Sequence, residues 1–456
     1  MRKPNSPYNF QRTDVAEPTD KLVSAGQKLA KHIKHDDIAY FEPIKRPVEP
    51  ILNIRNSLLV PELLTIKRQR MSESAFAFFR GTVDLMNHDL AKLKTSGVKV
   101  LLDGDAHLGN FGFYGSPEGQ LLFDMNDFDE ARIGHWETDL RRFLVSCLLV
   151  AEQHAFDKKD VDHFLANAID TYANSLSHMN ALSPLVKFTL PSTLENIIQI
   201  FGQLDGTPDH FETSFDKLIR KSIKKALRSD SNFAVKKYTE INNAGRRQFK
   251  ENAPITTHIS HTDYQQLVAG YLTYRAHTRC DAQLFLEDFH IVDIVRHTVG
   301  VGSVGTLCYL MLLEDADNNY LVLQIKQALP IYQGAEIYKS HHHTQGQNIV
   351  DSQLILQSAS DPFLGYLDTD YGSFYVRQFK DMKGSINLDK LDWSAYKDYV
   401  LVCITLMARA HSQSPNSPMI VGFLGAKGWL PEAFITFSRN YLKQVHYDYQ
   451  TFMHED

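Results

Sequence analysis

Carboxylate side chains are concentrated in two short stretches of the chain, GDAHLGN and NDFDE. Carboxylate and amide oxygens are the ligands that Mg²⁺ prefers in phosphoryl-transfer sites, where one aspartate also orients or deprotonates the attacking hydroxyl. In the first stretch, Asp105 is the candidate for this base-like role and Asn110 for a metal ligand. In the second, Asp127 is the candidate for the ligand that bridges metal and phosphates, and Asp129 could join it. The two stretches together predict magnesium-dependent phosphoryl transfer to a hydroxyl.

The other polar residues in and beside these stretches are predicted to have structural roles. His107 is predicted to brace the first loop, and helix capping and solvation are predicted for Asp124, Asp129 and Glu130. Metal-dependent hydrolysis is the competing chemistry, because clusters of Asp, His and Asn also build two-metal phosphoesterases. It requires more histidine ligands than these stretches contain. The histidine triplet at 341–343 points in different directions on any regular element, so we expect a solvated loop there.

A glycine-rich stretch, GVGSVGT, matches the GxGxxG pattern through Gly300, Gly302 and Gly305. A dinucleotide site requires a strand before this pattern and a helix after it. Here the apolar run LCYLMLLE follows, which predicts a second strand. The pattern therefore favours a flap between two strands whose backbone, including Ser303, covers phosphate groups as in kinase glycine-rich loops. A plain flexible hairpin is the alternative.

The next predicted strand, YLVLQIKQA, places Lys326 among apolar residues. Burying an ammonium group without an anion is costly, so we expect anionic partners. Phosphate oxygens would serve, together with a carboxylate that holds the amine in place. Asp351, in the following helix, is the first candidate for that carboxylate and Glu336 is the second. An exposed lysine on an edge strand is the alternative.

The elements that must position these residues can be read from apolar spacing. VKVLLDGD and QLLFDMNDFDE each predict a strand that enters a loop, so both acidic stretches lie at strand ends. Before them, SESAFAFFRGTVDLMNHDLAKLK predicts one helix, capped at Ser72 or Ser74. Arg80 lies in this helix and is a candidate partner for a carboxylate.

The rest of the chain alternates between helical and β-rich regions. A basic helix, KLIRKSIKKALR, is predicted to be a solvated surface element. The regions are, in order, a proline-rich segment before a helix near Pro61, a mainly helical region at 135–285, a β-rich region from 286, a helix at 346–358, the strand GSFYVRQF, and helices at 393–411 and 431–454.

Composition indicates a soluble protein of more than one domain. The chain has 456 residues, 43% of them hydrophobic and 22% charged, and a net charge of -6. This charge makes nucleic acid an unlikely general partner, and no apolar run is long enough to predict a membrane span or a signal peptide. The four cysteines are widely separated, which argues against a disulfide framework or a zinc site. We therefore expect a cytoplasmic protein.

Several blocks together resemble the domain-of-unknown-function 2252 family, DUF2252. They are FAFFRGTVDLM, GDAHLGNFG, NDFDEARIGHWETDLRR, GVGSVGT, QIKQA, SASDPFLG, YVRQFKDMKGS and LMARAH, and they span roughly residues 70–425. The resemblance implies membership of the protein-kinase-like superfamily, whose small-molecule branch includes the aminoglycoside phosphotransferases. It also implies catalytic-loop and metal-binding roles for GDAHLGN and NDFDE, although Asp103 stands where the usual loop has a histidine.

The resemblance further implies an α+β, two-lobed kinase-like fold that is circularly permuted, because the glycine-rich stretch and Lys326 follow the catalytic loop. A hinge from Phe379 to Met382, which includes Lys380, would hydrogen-bond adenine. The expected divisions are an N-terminal arm at 1–60, a large lobe with the catalytic and metal-binding loops at 61–285, a small nucleotide-binding lobe at 286–380, and hinge and large-lobe helices at 381–456.

The expected function is ATP- and Mg²⁺-dependent phosphoryl transfer to an unidentified acceptor that bears a hydroxyl, with a small molecule as the preferred class. Two alternatives stay open at this point. One is AMP transfer to a protein hydroxyl, which a kinase-like fold achieves if the nucleotide binds in reverse. The other is a pseudokinase that binds nucleotide and reports it to a partner.

Overall fold

The computed structural model describes residues 17–201, 211, 213–228, 231–298, 305–333, 336–337, 344–379 and 382–455. These residues form an α+β structure in which helices predominate, and this confirms the predicted class. The N-terminal helices are α1 (Thr19–Lys31), α2 (His35–Ala39) and α3 (Glu49–Asn56). Helix α1 packs against the C-terminal part of the chain, where the Gly26 and Met419 backbones meet without room for a side chain. The predicted division into domains stays a prediction.

The single helix predicted after Ser72 is wrong, because Thr82 breaks it. The helices here are α4 (Pro61–Met71), α5 (Ala75–Gly81) and α6 (Val83–Leu90). Ser74 caps α5 by accepting a hydrogen bond from Ala77 N, as predicted. Thr82 has a φ of −131°, and its hydroxyl donates to Phe78 O at 2.8 Å. A glycine followed by a β-branched residue disfavours continued helix, and the break leaves Arg80 in the last turn of α5.

Both acidic stretches follow strands, as predicted. The strands are β1 (Lys99–Leu102), β2 (Phe111–Gly115), β3 (Leu121–Met125) and β4 (Arg132–His135). β1 pairs antiparallel with β4, and β2 forms an antiparallel hairpin with β3. GDAHLGN therefore connects β1 to β2, and NDFDE connects β3 to β4. This small β arrangement places the two loops next to each other.

The region 135–285 is mainly helical, as predicted. Its helices are α7 (Glu137–Gln153), α8 (Lys158–Ala181), α9 (Pro184–Thr189), α10 (Leu194–Phe201), α11 (Thr213–Ala226), α12 (Ser231–Tyr238), α13 (His261–His277) and α14 (Cys280–Glu287). Three short strands interrupt them, β5 (Thr239–Ile241), β6 (Arg247–Phe249) and β7 (Thr256–His258). The sequence analysis missed these strands because each has only three residues. The basic residues of α11 are exposed, as expected for a solvated helix.

The β-rich region forms one antiparallel sheet in the order β13-β14-β10-β9-β8-β7. Its other strands are β8 (His290–His297), β9 (Cys308–Glu314), β10 (Tyr320–Gln327), β13 (Gly365–Thr369) and β14 (Gly372–Gln378), and the pair β11 (Tyr332–Gln333) and β12 (Glu336–Ile337) follows β10. One face carries Leu313 and Leu323 and packs on α13. By the alternation of side chains along β10, Lys326 is on the opposite face. It pairs with Cys308 on β9 and with Tyr375 on β14.

The chain ends in helices that complete the main core. They are α15 (Gln345–Leu356), a short 3₁₀ turn (Leu388–Lys390), α16 (Trp393–Ser412), α17 (Ser417–Leu424) and α18 (Leu430–His454). The predicted helices at 346–358, 393–411 and 431–454 are confirmed. Trp136 is fully buried at the centre of this core, stacked on Tyr172 and packed against Phe434. Within the described ranges, no helix is both long and apolar enough to cross a bilayer.

Candidate active site

Asp105 lies in the loop after β1 with one carboxylate oxygen engaged, while the other accepts no hydrogen bond from the described part of the chain. Its Oδ1 accepts a hydrogen bond from Arg142 Nε on α7, and its Oδ2 lies 3.8 Å from His107 Nε2. The side chain is 21% exposed. Burial raises the pKa of Asp105 to about 6, although the Arg142 guanidinium opposes this change. The group is therefore ionised at neutral pH and basic enough to accept a hydroxyl proton.

His107 braces the same loop. Its Nδ1 accepts a hydrogen bond from Gly109 N at 3.1 Å, and its ring lies edge-on to Phe76 with centroids 6.2 Å apart. Burial, together with the nearby Arg80 and Arg142, holds the pKa of His107 well below its ordinary value. A neutral ring that accepts at Nδ1 carries its proton on Nε2.

A series of buried side chains, which the sequence analysis missed, fixes the backbone of this loop. The Asp139 carboxylate on α7 accepts hydrogen bonds from Asp103 N at 2.9 Å and Gly104 N at 3.0 Å. His411 Nε2 on α16 lies 3.1 Å from Asp139 Oδ2, and His411 Nδ1 lies 2.6 Å from the Tyr172 hydroxyl on α8. Asp139, His411 and Tyr172 are at most 1% exposed. Three helices therefore hold the loop that carries Asp105.

The two acidic loops touch at Gly104. This residue has a φ of +84°, and a Cβ added to it would lie 2.0 Å from Glu130 O. A left-handed backbone and this close approach both require glycine. The glycine of the GD pair is therefore explained by the contact between the loops.

The Asn110 amide nitrogen bridges the two acidic loops. Its Nδ2 donates to Asp103 Oδ2 at 3.1 Å and to Asp127 O at 3.0 Å. Both donors of the amide face these two neighbours, and its Oδ1 accepts no hydrogen bond from any described residue. A carbonyl oxygen held in this way is the atom that a hard cation would use.

Lys326 reaches across from β10 to the second acidic loop. Its ammonium donates to Asp129 Oδ2, a residue 197 positions earlier in the chain, and lies 3.8 Å from Asp127 Oδ1. The Tyr375 hydroxyl donates to the other Asp129 oxygen at 2.9 Å. The Lys326 side chain is 2% exposed, so the exposed edge-strand alternative is wrong. A buried ammonium with two carboxylates agrees with the expectation that it needs anionic partners.

The charges of this group of residues determine its protonation. Burial would raise the pKa of Asp127, but the Lys326 ammonium and the Arg377 guanidinium outweigh burial and lower it. Burial and the Asp127 charge raise the pKa of Asp129, which Lys326 opposes. Burial would lower the pKa of Lys326, but the two carboxylates hold it well above its ordinary value. Asp127 and Lys326 are therefore both charged at neutral pH.

The capping and solvated roles predicted for three acidic residues are wrong. Asp124 is fully buried and accepts hydrogen bonds from the Met125 and Ser358 backbone. Glu130 is 4% exposed, and its Oε1 lies 2.6 Å from Arg55 Nη2. Asp129 holds Lys326 as described above. Short sequence patterns could not show Ser358, Arg55 or Lys326 as partners, because each lies in a distant part of the chain.

The structure describes only part of the predicted nucleotide-binding set. Gly300, Gly302, Ser303 and Lys380 lie outside the described residues, as does the histidine triplet. Gly305 has a φ of +100°, and its carbonyl accepts a hydrogen bond from Val60 N at 2.7 Å. The end of the glycine-rich stretch is therefore attached to the segment before α4.

Asp351, predicted to pair with Lys326, lies half-buried on α15. The carboxylates that the structure brings to the ammonium are those of Asp129 and Asp127. Glu336 is in the two-residue strand β12. Asp129 is therefore the carboxylate that accepts from the amine. A contact between Lys326 and Asp351 stays a prediction.

Part of the predicted adenine site is covered by helix α12. Phe379 N donates to Val322 O, so it is engaged within the sheet. The Phe379 ring packs against Tyr238 at 5.5 Å, and Val322 lies in the same apolar cluster as Val235 of α12. Met382 has a φ of +44°. The face of the sheet that carries Lys326 is therefore closed beside the expected hinge.

Two cavities share Arg80, Asp105 and Asp127 in their walls. The larger has a volume of about 220 Å³ and is also lined by Arg377 and Lys383; the smaller, about 50 Å³, extends toward the Lys326 pair. Both signs of charge line this space, which suits a phosphate ester beside a cation. A pocket of about 310 Å³ lies on the opposite face of the sheet and contains none of the predicted site residues that are described.

One buried oxygen of Asp127 accepts no hydrogen bond from the part of the chain that the structure describes. This atom, Oδ1, lies 3.8 Å from the Lys326 ammonium, although the whole side chain is 44% exposed. Among the described residues, no three His, Cys, Asp or Glu side chains form a ligand group. Magnesium sites on nucleotides use one or two protein oxygens, and phosphates and water supply the rest. Asp127 and Asn110 fit that type of site and do not fit an all-protein cage.

Comparison with known proteins gives one family. The profile of a family described as uncharacterized proteins conserved in bacteria, DUF2252, matches residues 58–455. No curated protein and no solved structure matches the chain.

Proposed function

We propose that this chain, which belongs to the DUF2252 family, is an ATP- and magnesium-dependent phosphotransferase that acts on a hydroxyl group of a small molecule. One observation carries the proposal: the Lys326 ammonium lies beside Asp127 and Asp129, next to the loop that carries Asp105 and Asn110. A buried cation, a candidate base and metal-type oxygens on neighbouring loops are the parts that phosphoryl transfer requires.

The fold proposed for this function is a circularly permuted, two-lobed kinase-like arrangement. The six-stranded sheet would be the small lobe and the helical region the large lobe. The support is spatial: β10 delivers Lys326 to loops that precede it in the chain. Chain order does not affect a site assembled in space.

The chain's own residues have distinct roles in the proposed reaction. Asp127 and Asn110 would hold Mg²⁺, which when bound neutralises phosphate charge. Lys326, fixed by Asp129, binds phosphate oxygens. Asp105 Oδ2 takes the proton of the acceptor hydroxyl, while Arg142 keeps Asp105 Oδ1 in place.

The transfer requires no reactant other than ATP and the acceptor, because one phosphorus–oxygen bond forms and one breaks. The acceptor oxygen forms a bond to the γ-phosphorus, and the bond from that phosphorus to the bridging oxygen of ADP breaks. The hydroxyl proton passes to Asp105, and ADP leaves with the electron pair of the broken bond. No oxidant or reductant is needed.

Labelled ATP tests the proposal. The protein is incubated with Mg²⁺, a pool of small hydroxyl-bearing metabolites, and ATP labelled at either the α or the γ phosphate. Transfer of the γ label, lost in Asp127→Asn, is expected. Transfer of the α label would instead establish AMP transfer. ATP binding without transfer of either label would establish the pseudokinase alternative.

A further inference from the structure

Arg80 lines the candidate site without a hydrogen bond or salt bridge to a described residue. It occupies the last turn of α5, just before the break at Thr82, and lines both cavities that Asp105 and Asp127 share. Its guanidinium carbon is 5.9 Å from the centre of the Phe76 ring, which packs beside it. The break in the helix thus directs a cation into the space between the base-like residue and the metal-type oxygens.

The guanidinium of Arg80 makes no hydrogen bond or salt bridge with any residue that the structure describes, and its Nε is buried. The other arginines around the site are paired. Arg142 donates to Asp105, and Arg55 donates to Asp84 at 2.6 Å and to Glu130. A guanidinium has five donors, and leaving the buried Nε donor of Arg80 unsatisfied is costly. The Arg80 guanidinium is therefore available to bind an anion that comes from outside the chain.

The position of Arg80 identifies that anion. The carboxylates that line both cavities with Arg80 are Asp105, where the acceptor hydroxyl would lie, and Asp127, where the phosphates would lie. A group in contact with Arg80 is therefore between acceptor and nucleotide. Guanidinium groups match phosphate oxygens in shape and charge, and in other phosphoryl-transfer enzymes such an arginine stabilises the transition state.

We propose that Arg80 binds the phosphoryl group during its transfer and neutralises the charge that develops on its equatorial oxygens. The inference rests on the proposed phosphotransferase function and adds a catalytic residue to it. Its contribution is expected to be about 1,000-fold in turnover, the lower end for an arginine with this role. Binding of ADP alone, which lacks the transferred group, should not depend on Arg80.

The test uses ADP, Mg²⁺ and aluminium fluoride, which mimics a phosphoryl group in transfer. In the unmodified protein, aluminium fluoride should tighten ADP binding, measured by titration calorimetry. In Arg80→Gln, ADP alone should bind as before and this tightening should be lost. Arg80→Lys should restore only part of it, because it keeps the charge without the forked geometry. Arg220→Gln, on the exposed face of α11, is the control and should behave as the unmodified protein.

Stability provides a second readout. Because Arg80 makes no hydrogen bond or salt bridge within the described chain, Arg80→Gln should leave the melting temperature of the ligand-free protein unchanged or higher. Equal aluminium fluoride tightening in Arg80→Gln and in the unmodified protein would overturn the inference while leaving the proposed function intact. Failure of the unmodified protein to bind ADP or ATP would overturn both.

Discussion

The Lys326 ammonium lies 3.8 Å from Asp127 Oδ1, and this contact joins strand β10 to the loop between β3 and β4. The Lys326 ammonium would not be stable at its place alone, because its side chain is only 2% exposed and a buried charge needs a partner. Asp127 and Asp105 both line the two cavities, and Asp129, which holds Lys326, lines the smaller one.

Asp105 should control the acid limb of activity. Its carboxylate must be ionised to accept a proton, and its pKa is raised to about 6. Turnover should therefore be constant at higher pH and fall about tenfold for each pH unit below 6. Asp105→Asn should lower turnover by about 100- to 10,000-fold and keep ATP binding. The measurement is release of labelled γ-phosphate from ATP between pH 5 and 8; an acid limb that persists in Asp105→Asn would assign it to another group.

Tyr172 should act on the catalytic loop through His411 and Asp139. Tyr172→Phe leaves His411 Nδ1 without its donor, which should cost about 1 to 3 kcal/mol of stability and lower turnover while leaving the KM for ATP unchanged. Tyr396→Phe is the matched control, because its buried hydroxyl donates to Cys147 O, away from the loop. The control should lose similar stability and keep its turnover. Equal turnover losses in both variants would show a general effect of destabilisation.

Asp129, and not Asp351, should hold Lys326 in place. Asp129→Asn removes the carboxylate that accepts from the ammonium and leaves Tyr375 facing an amide. We expect weaker MgATP binding by roughly tenfold, in line with the loss of one charge-assisted hydrogen bond of about 1.5 kcal/mol. Asp351→Asn should bind MgATP as the unmodified protein does. Calorimetric titration of both variants decides the question, and the reverse result would restore the pairing expected from the sequence.

Helix α12 should oppose binding of a base beside Phe379. Any ligand that reaches this backbone must first displace α12 from the cluster around Val322. Val235→Ser weakens that packing, so it should lower the melting temperature and tighten ATP binding by up to about tenfold.

The control for this prediction is Val161→Ser, which weakens a buried contact of α8 in the main core. It should lose stability without a change in the Kd for ATP. An unchanged Kd in Val235→Ser as well would show that the nucleotide does not use this face of the sheet.

Much of the local structure was predictable because it depends on neighbouring residues. The apolar runs around Leu310 and Lys326 are strands, and Ser74 caps its helix, as the sequence indicated. The strand ends that carry Asp105 and Asp127 were also expected. The break at Thr82 was missed, because the apolar spacing continues across it while the backbone does not.

The partners of buried charges were less predictable, because they depend on contacts between distant segments. Asp129 looked like a solvated residue in its own stretch, and only the position of β10 makes it the partner of Lys326. Asp139 and His411 lie on different helices, and their contact requires the packed core. Charged residues inside otherwise apolar helices were the one signal that could have pointed to such pairs.

The central claim is that Asp127 and Asn110 bind a cation beside a triphosphate held by Lys326. Crystals grown with Mn²⁺ and a nonhydrolysable ATP analogue test it directly through the anomalous signal of manganese. We expect a peak about 2 Å from Asp127 and Asn110 oxygens, with phosphate density in contact with the Lys326 ammonium. Phosphates and metal bound at another place, or an empty cavity between Asp105 and Lys326 at saturating analogue, would contradict it.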